Sequence, residues 1–244
     1  FITVVIIGLA LVFSFVKLPA LIQSYQQNGY GEAMKNKTLM MGALGIFVYV
    51  GAEVAIGSYL VNYFMDMQLA ATVASNEGMM QIADTIAQLF NQSFSGKDPK
   101  SLLAVFVTFY WTGAMIGRFV GAVLTQKFNP AYVLAAFATG AIILVFLSMN
   151  TVGLVSMWAI LSVGLFNSIM FPTIFTLSIS NVGTLKPQAS GILCTMIVGG
   201  AIVPPLYGYF TDMLGFKTAF VVVLCCYAYI VFFGFKTAKE AASS

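Results

Sequence analysis

Seven apolar segments, at roughly residues 1–16, 40–63, 101–125, 130–149, 151–179, 188–211 and 216–235, alternate with shorter polar connections. All but the first reach the ~20 residues that a bilayer-spanning helix needs. Of the 244 residues, 60% are hydrophobic and only 8% charged, whereas a soluble domain carries roughly a quarter charged residues. No water-facing fold of this size has the interior to hide so much apolar surface. The pattern predicts an all-α protein, a polytopic transmembrane helical bundle. The first run is short and lacks the basic flank and small-residue cleavage site of a signal peptide. Since Phe1 is not a start methionine, residues 1–16 read as the end of a helix that begins upstream.

The same composition excludes several function classes. The net charge of +3 comes from eleven Lys and Arg spread through the chain, so no nucleic-acid partner is expected. The three cysteines, Cys194, Cys225 and Cys226, lie inside apolar runs and are expected to pack as small buried hydrophobes. With no histidine and no C-x-x-C pair, neither a metal nor another cofactor is expected. No nucleophile–base pair or phosphate loop is present, so the chain does not read as an enzyme.

Local punctuation sets the helix starts. Asp98-Pro99 and Asn129-Pro130 each offer a capping side chain followed by proline in the first turn. Lysines then set the orientation. Lys17, Lys35, Lys37, Lys127, Lys186, Lys236 and Lys239 fall on one side, and Lys97, Lys100 and Lys217 on the other. The lysine-rich side is expected to be cytoplasmic, with the C-terminus on it and a tail at 237–244.

Two connections are long. Residues 17–38, containing SYQQNGYGEAMKNK, read as a cytoplasmic linker between two bundles, the second running from 39 to 236. The external loop 65–100 carries Met79, Ile82, Ile86, Leu89 and Phe90 at helical spacing. That spacing predicts a short amphipathic helix at the outer membrane surface.

Glu53 is the most conspicuous polar residue. It stands amid FVYVGAEVAIGSYLVNYF, where a carboxylate costs several kcal/mol. Stepping by four gives Tyr49, Glu53 and Gly57, a stripe that drifts only about 40° per step. A hydroxyl-bearing aromatic, an acid and a backbone gap suit a hexose, with its hydroxyls and its flat apolar ring face. Proton carriage by Glu53 and a purely structural bond between helices remain as alternatives.

In the fifth segment Asn167 can donate and accept at once, as a sugar hydroxyl requires, although asparagines also pack helices. Pro172 frees the carbonyl four residues earlier, that of Ser168. In the sixth segment Gly199-Gly200 and Pro204-Pro205 are expected to break the helix and act as a gate, since Gly/Pro-interrupted segments mark moving elements. Thr195, one turn before, is expected to face the cavity. Tyr110 and Trp111 read either as interfacial anchors or as sugar-stacking rings. Asp212 and Lys217, at an outer turn, read as solvated.

The runs YVGAEVAIGSYLVNY, GAMIGRFVGAVLTQKFNP, FNSIMFPTIFTLSISNVG and SGILCTMIVGGAIVPPLYGYFTDMLG resemble the sugar–proton symporters of the major facilitator superfamily. More narrowly, they resemble its fucose, galactose and glucose branch. The resemblance implies twelve helices in two six-helix halves, of which this chain supplies the end of the sixth and then the C-terminal half. It further implies import of a monosaccharide with the proton as coupling ion, by alternating access, across a bacterial inner membrane. The partner implied is the N-terminal six-helix half, which in the family holds the best-established proton-coupling carboxylates.

Fucose-type members carry a glutamine where Glu53 stands and a glutamine–tyrosine pair where Met170-Phe171 stand, so the likeness is closest to the glucose/galactose carriers. Fucose and N-acetylglucosamine carriers are the alternatives among sugars. The loop motif with Gly117-Arg118 departs from the superfamily pattern, which has an acid before the arginine. Arg118 is expected to snorkel to the cytoplasmic face or to latch the next hairpin. A receptor or assembly module that kept the helices without a transport cycle is the competing class, and a membrane enzyme the third.

Overall fold

Residues 29–89 and 98–243, with Gly8 upstream of them, are described by a computed structural model. Among these residues the elements are helical. A one-turn helix α1 (Tyr30–Ala33) precedes α2 (Lys37–Asp66), then the short α3 (Leu69–Ala74) and α4 (Glu77–Leu89). The long helices α5 (Pro99–Lys127) and α6 (Pro130–Asn150) follow, then α7 (Gly153–Asn167) and α8 (Met170–Ile179), which form one interrupted span. A second interrupted span runs through α9 (Lys186–Thr195) and α10 (Gly199–Leu214), and α11 (Phe216–Ser243) closes the chain.

Six spans are long and apolar enough to cross a membrane: Lys37–Asp66, Pro99–Lys127, Pro130–Asn150, Gly153–Ile179, Gly183–Leu214 and Phe216–Ala241. They match the last six of the seven apolar segments. Apart from Gly8, the first, residues 1–16, lies outside the described residues, as do most of the linker and Phe90.

The caps form as the sequence predicts. The Asp98 side chain accepts from the Lys100 amide and that of Asn129 from the Ala131 amide, each with proline in the first turn. Asn36 caps α2 in the same way, accepting from the Leu39 amide. α2 is the central helix, packed by α10, α11, α8 and α5, while α6 lies between α7 and α11.

Close approach through glycine sets two of the helix crossings. A β-carbon on Gly117 of α5 would run into the Leu165 carbonyl of α7, and one on Gly199 of α10 into the Phe47 carbonyl of α2. These are backbone atoms of neighbouring helices and cannot step aside. The missing acid before Arg118 therefore has a steric cause, since no side chain fits at Gly117.

Toward the C-terminal end of α2, buried Tyr63, Ser148 and Ser156 bond one another at 2.8–3.1 Å. They tie α2 to α6 and α7, a knot that no sequence pattern announced.

Several expectations need correction. Among its described residues the loop at 65–100 holds a second short helix, α3, besides the expected one. The buried face of α4 is Met79, Ala83 and Ala87, with Ile82 and Ile86 beside it, and Leu89 is 78% exposed. Alanines at i and i+4 let α4 lie close, which a search for bulky residues overlooks. Lys217 is not merely solvated, because its ammonium donates to the Thr151 carbonyl at the end of α6. Only Cys226 is buried, and Cys194 and Cys225 sit exposed on the helix surface. The expected tail at 237–244 is helical through Ser243, and Glu240 there accepts from the Thr38 hydroxyl at the start of α2.

Candidate functional site

The feature that organises the middle of the bundle is the interruption between α7 and α8. α7 ends at Asn167, Ser168 and Ile169 form a turn, and the helix resumes at Met170. Pro172 lacks an amide proton, so the Ser168 carbonyl has no helical donor, and the turn leaves further carbonyls to be satisfied. In hydrocarbon each unsatisfied group costs several kcal/mol, and side chains satisfy them here. The Ser168 hydroxyl donates to the Leu165 carbonyl at 2.7 Å, the Tyr49 hydroxyl to the Asn167 carbonyl at 2.9 Å, and the Arg118 Nε to the Ser168 carbonyl at 3.4 Å.

The Asn167 side chain carries a second set of bonds. Its Nδ2 donates to the Tyr110 hydroxyl at 2.7 Å, and its Oδ1 accepts from the Tyr227 hydroxyl at 2.7 Å. Three tyrosines on α2, α5 and α11 thus converge on one residue of α7. Asn167, Tyr110 and Tyr227 are fully buried and Tyr49 is 3% exposed.

Glu53 stands one turn from Tyr49, near the middle of α2 and half-buried. Tyr49, Arg118, Tyr110 and Tyr227 are its ionisable neighbours. Gly57, a turn further along, is covered by the indole of Trp111, itself 54% exposed. The acid and the half-exposed ring thus lie about one turn apart along α2, an acceptor and a stacking face. At the interruption itself, a cleft of about 410 Å³ opens beside Arg118, Ser168, Pro172, Thr173 and Thr176.

The sequence-predicted residues separate into two groups. Glu53, Tyr49, Asn167, Pro172, Gly117 and Arg118 come together at the interruption. Tyr49 and Asn167 have no surface to present to a ligand in this conformation, because their polar atoms serve the helix break. The Arg118 Nε caps the carbonyl that Pro172 frees.

Thr195 is exposed, and its hydroxyl donates to the Ile192 carbonyl of its own helix. α10 runs continuously through Pro204 and Pro205, and the winding tightens earlier, in a 3-10 turn at Met196–Val198. Gly199 and Gly200 sit against Phe47, Val50 and Val54 of α2, so they serve close approach.

Tyr110 is no interfacial anchor, being buried at the network. Tyr227 was missed altogether, and its only signal was that it is one of two hydroxyl-bearing rings in the otherwise apolar run VVVLCCYAYIVFF.

No protein-family model matches the chain. The chain spans about half the length of the curated relatives it matches. It is 40% identical over 235 residues to the glucose/galactose transporter of Brucella abortus, covering 95% of this chain and 51% of that one. It is 32% identical over 195 residues to the L-fucose-proton symporter of Escherichia coli, covering 78% and 37%. The crystal structure of FucP, a major facilitator superfamily transporter in the outward conformation, matches with a TM-score of 0.76 at 28% identity, covering 96% of this chain and 52% of that one. The chain has the fold of one half of a major facilitator superfamily transporter. The resemblance carried by GAEV, PTIF and GGAIVPP therefore holds at the level of the superfamily and its sugar-carrying branch. Six apolar spans and this likeness indicate a multi-pass membrane protein, and the Glu53–Asn167 group stands near the middle of the spans that carry it.

Proposed function

We propose that this chain is the C-terminal half of a secondary transporter that imports a hexose of the glucose/galactose kind together with protons, by alternating access. The reading rests most on one observation: a half-buried carboxylate, Glu53, beside an interrupted helix near mid-membrane, in a chain homologous to glucose/galactose transporters. Substrate sites between the repeats of such carriers are built from discontinuous helices near the midplane.

In this reading Glu53 accepts hydrogen bonds from sugar hydroxyls and Trp111 offers its half-exposed ring to the apolar face of the sugar. Tyr49 and Asn167 support them from behind. The 3-10 turn at Met196–Val198, followed by Gly199 and Gly200, is the proposed gating element of the sixth span. The N-terminal half joins through the linker at 17–38 and closes the site from the other side, so that sugar binding across both halves drives the closure. The lysine-rich ends, including the C-terminus, face the cytoplasm of a bacterial inner membrane.

Uptake of radiolabelled glucose and galactose into vesicles, with and without an imposed pH gradient, tests the proposal. Accumulation that requires the gradient is the expected result. Uptake that equilibrates without regard to the gradient would replace symport by facilitation, and absence of hexose uptake would overturn the substrate class.

A further inference from the structure

Several threonines of the spans turn their hydroxyls back on their own helix, as hydrocarbon demands of a group with no other partner. Those of Thr125, Thr139 and Thr176 donate to the carbonyls of Gly121, Ala135 and Pro172 at 2.8–2.9 Å. Those of Thr211 and Thr237 do the same at 2.9 Å. Thr108 and Thr112 of α5 do not, and among the described residues their hydroxyls have no hydrogen-bond partner. Their setting gives this a use. One turn apart, they line a groove of about 400 Å³ together with Ala104, Val107, Trp111 and Met115, all on one face of α5. Its volume lies in the range of small-molecule sites. Thr108 is half-buried and Thr112 exposed, so neither side chain is sealed off.

The indole in this groove is braced. The Tyr110 ring stands perpendicular to it, with centroids 5.2 Å apart, and the Tyr110 hydroxyl is itself held by the Asn167 amide at 2.7 Å. The indole also lies over Gly57 of α2, where a β-carbon would stand 3.6 Å from it. A platform fixed before its ligand arrives loses little freedom on binding. Asn167 and Tyr110, which present no surface to a ligand, thus hold in place the ring that does.

We propose that this groove of α5 seats a neutral pyranose, with its apolar face on the Trp111 indole and its hydroxyls bonded to Thr108 and Thr112. This rests on the hexose reading above and deepens it, since it adds two specificity-determining residues on a second helix. A pyranose presents what the groove matches: a patch of C–H groups for the indole, and hydroxyls that both donate and accept, as threonine does. A lipid chain would fill the apolar floor and leave both threonine hydroxyls unpaired. A charged ligand would find no counter-charge, because the six lining side chains are all uncharged.

Equilibrium binding of glucose, galactose and their monodeoxy analogues to the membrane-embedded protein tests this, in the wild type and in Thr108→Val, Thr112→Val and Trp111→Leu. Valine keeps the shape of threonine and removes only the hydroxyl. Each valine variant should bind the parent hexose about fivefold more weakly, the weight of one neutral hydrogen bond. For each threonine, the analogue that lacks the partnered hydroxyl should bind wild type and variant alike, because that bond is already gone. Trp111→Leu should weaken all the sugars together, since stacking depends on no single hydroxyl. Valine variants that bind the parent hexose as the wild type does, or that lose the same factor with every analogue, overturn the seat on α5 and leave the hexose reading standing. Unchanged binding in Trp111→Leu overturns the platform. A wild-type protein that binds no hexose overturns both the seat and the hexose reading.

Discussion

Replacing Asn167 by leucine should destabilise the bundle by about 2–4 kcal/mol, the loss of two side-chain hydrogen bonds that leaves two buried hydroxyls unsatisfied. Asn167 donates to Tyr110 and accepts from Tyr227, and neither ring reaches water. The thermal midpoint of the purified protein, followed by intrinsic fluorescence, checks the size of the effect. A compensating combination checks its cause. Adding Tyr110→Phe and Tyr227→Phe to Asn167→Leu removes the stranded hydroxyls, and removing all partners of a buried polar group together is far less costly than removing one. The triple variant should recover most of the midpoint. If it is as unstable as Asn167→Leu alone, packing rather than the network holds this region.

Gly117→Ala should cost a comparable amount, about 2–4 kcal/mol, because over-packing against backbone cannot be relieved by a rotamer change. The added β-carbon meets the Leu165 carbonyl and the Ser168 side chain, so α5 must move off the interrupted span. That displacement also withdraws Arg118 from the Ser168 carbonyl. Gly57→Ala is the matched control, since a β-carbon there meets only the Trp111 ring at 3.6 Å, an ordinary contact. A clear fall in the thermal midpoint for Gly117→Ala with little change for Gly57→Ala is the expected pair. Equal midpoints would mean that the α5–α7 crossing has slack.

The membrane class, the span boundaries and two of the helix caps were legible because each depends on residues close in sequence. Apolar runs need a minimum length, and Asp98-Pro99 and Asn129-Pro130 act on their own first turns. Pro172 likewise announced that the Ser168 carbonyl would be free. What was illegible was the donor that fills it. Arg118 is 50 residues away on another helix, and nothing in GRFVG distinguishes a capping arginine from a snorkelling one.

The same limit hid Tyr227, 60 residues from Asn167, and made Asn167 look as fit for sugar as for helix packing. The prolines misled for a different reason. Pro204 and Pro205 are tolerated within α10, and the irregular turn falls before Gly199, where α10 presses on the backbone of α2. Sequence spacing names the residues able to interrupt a helix, and tertiary packing decides which of them do.

The most direct test of the account is the affinity of glucose and galactose for the wild-type protein and for Glu53→Gln, measured by equilibrium binding across the pH range. Glutamine keeps the shape of glutamate but does not ionise. The account predicts that Glu53→Gln binds hexose about tenfold or more weakly, as expected when a charged acceptor is lost, and that its binding no longer varies with pH. Unchanged hexose affinity with an unchanged pH dependence would contradict it.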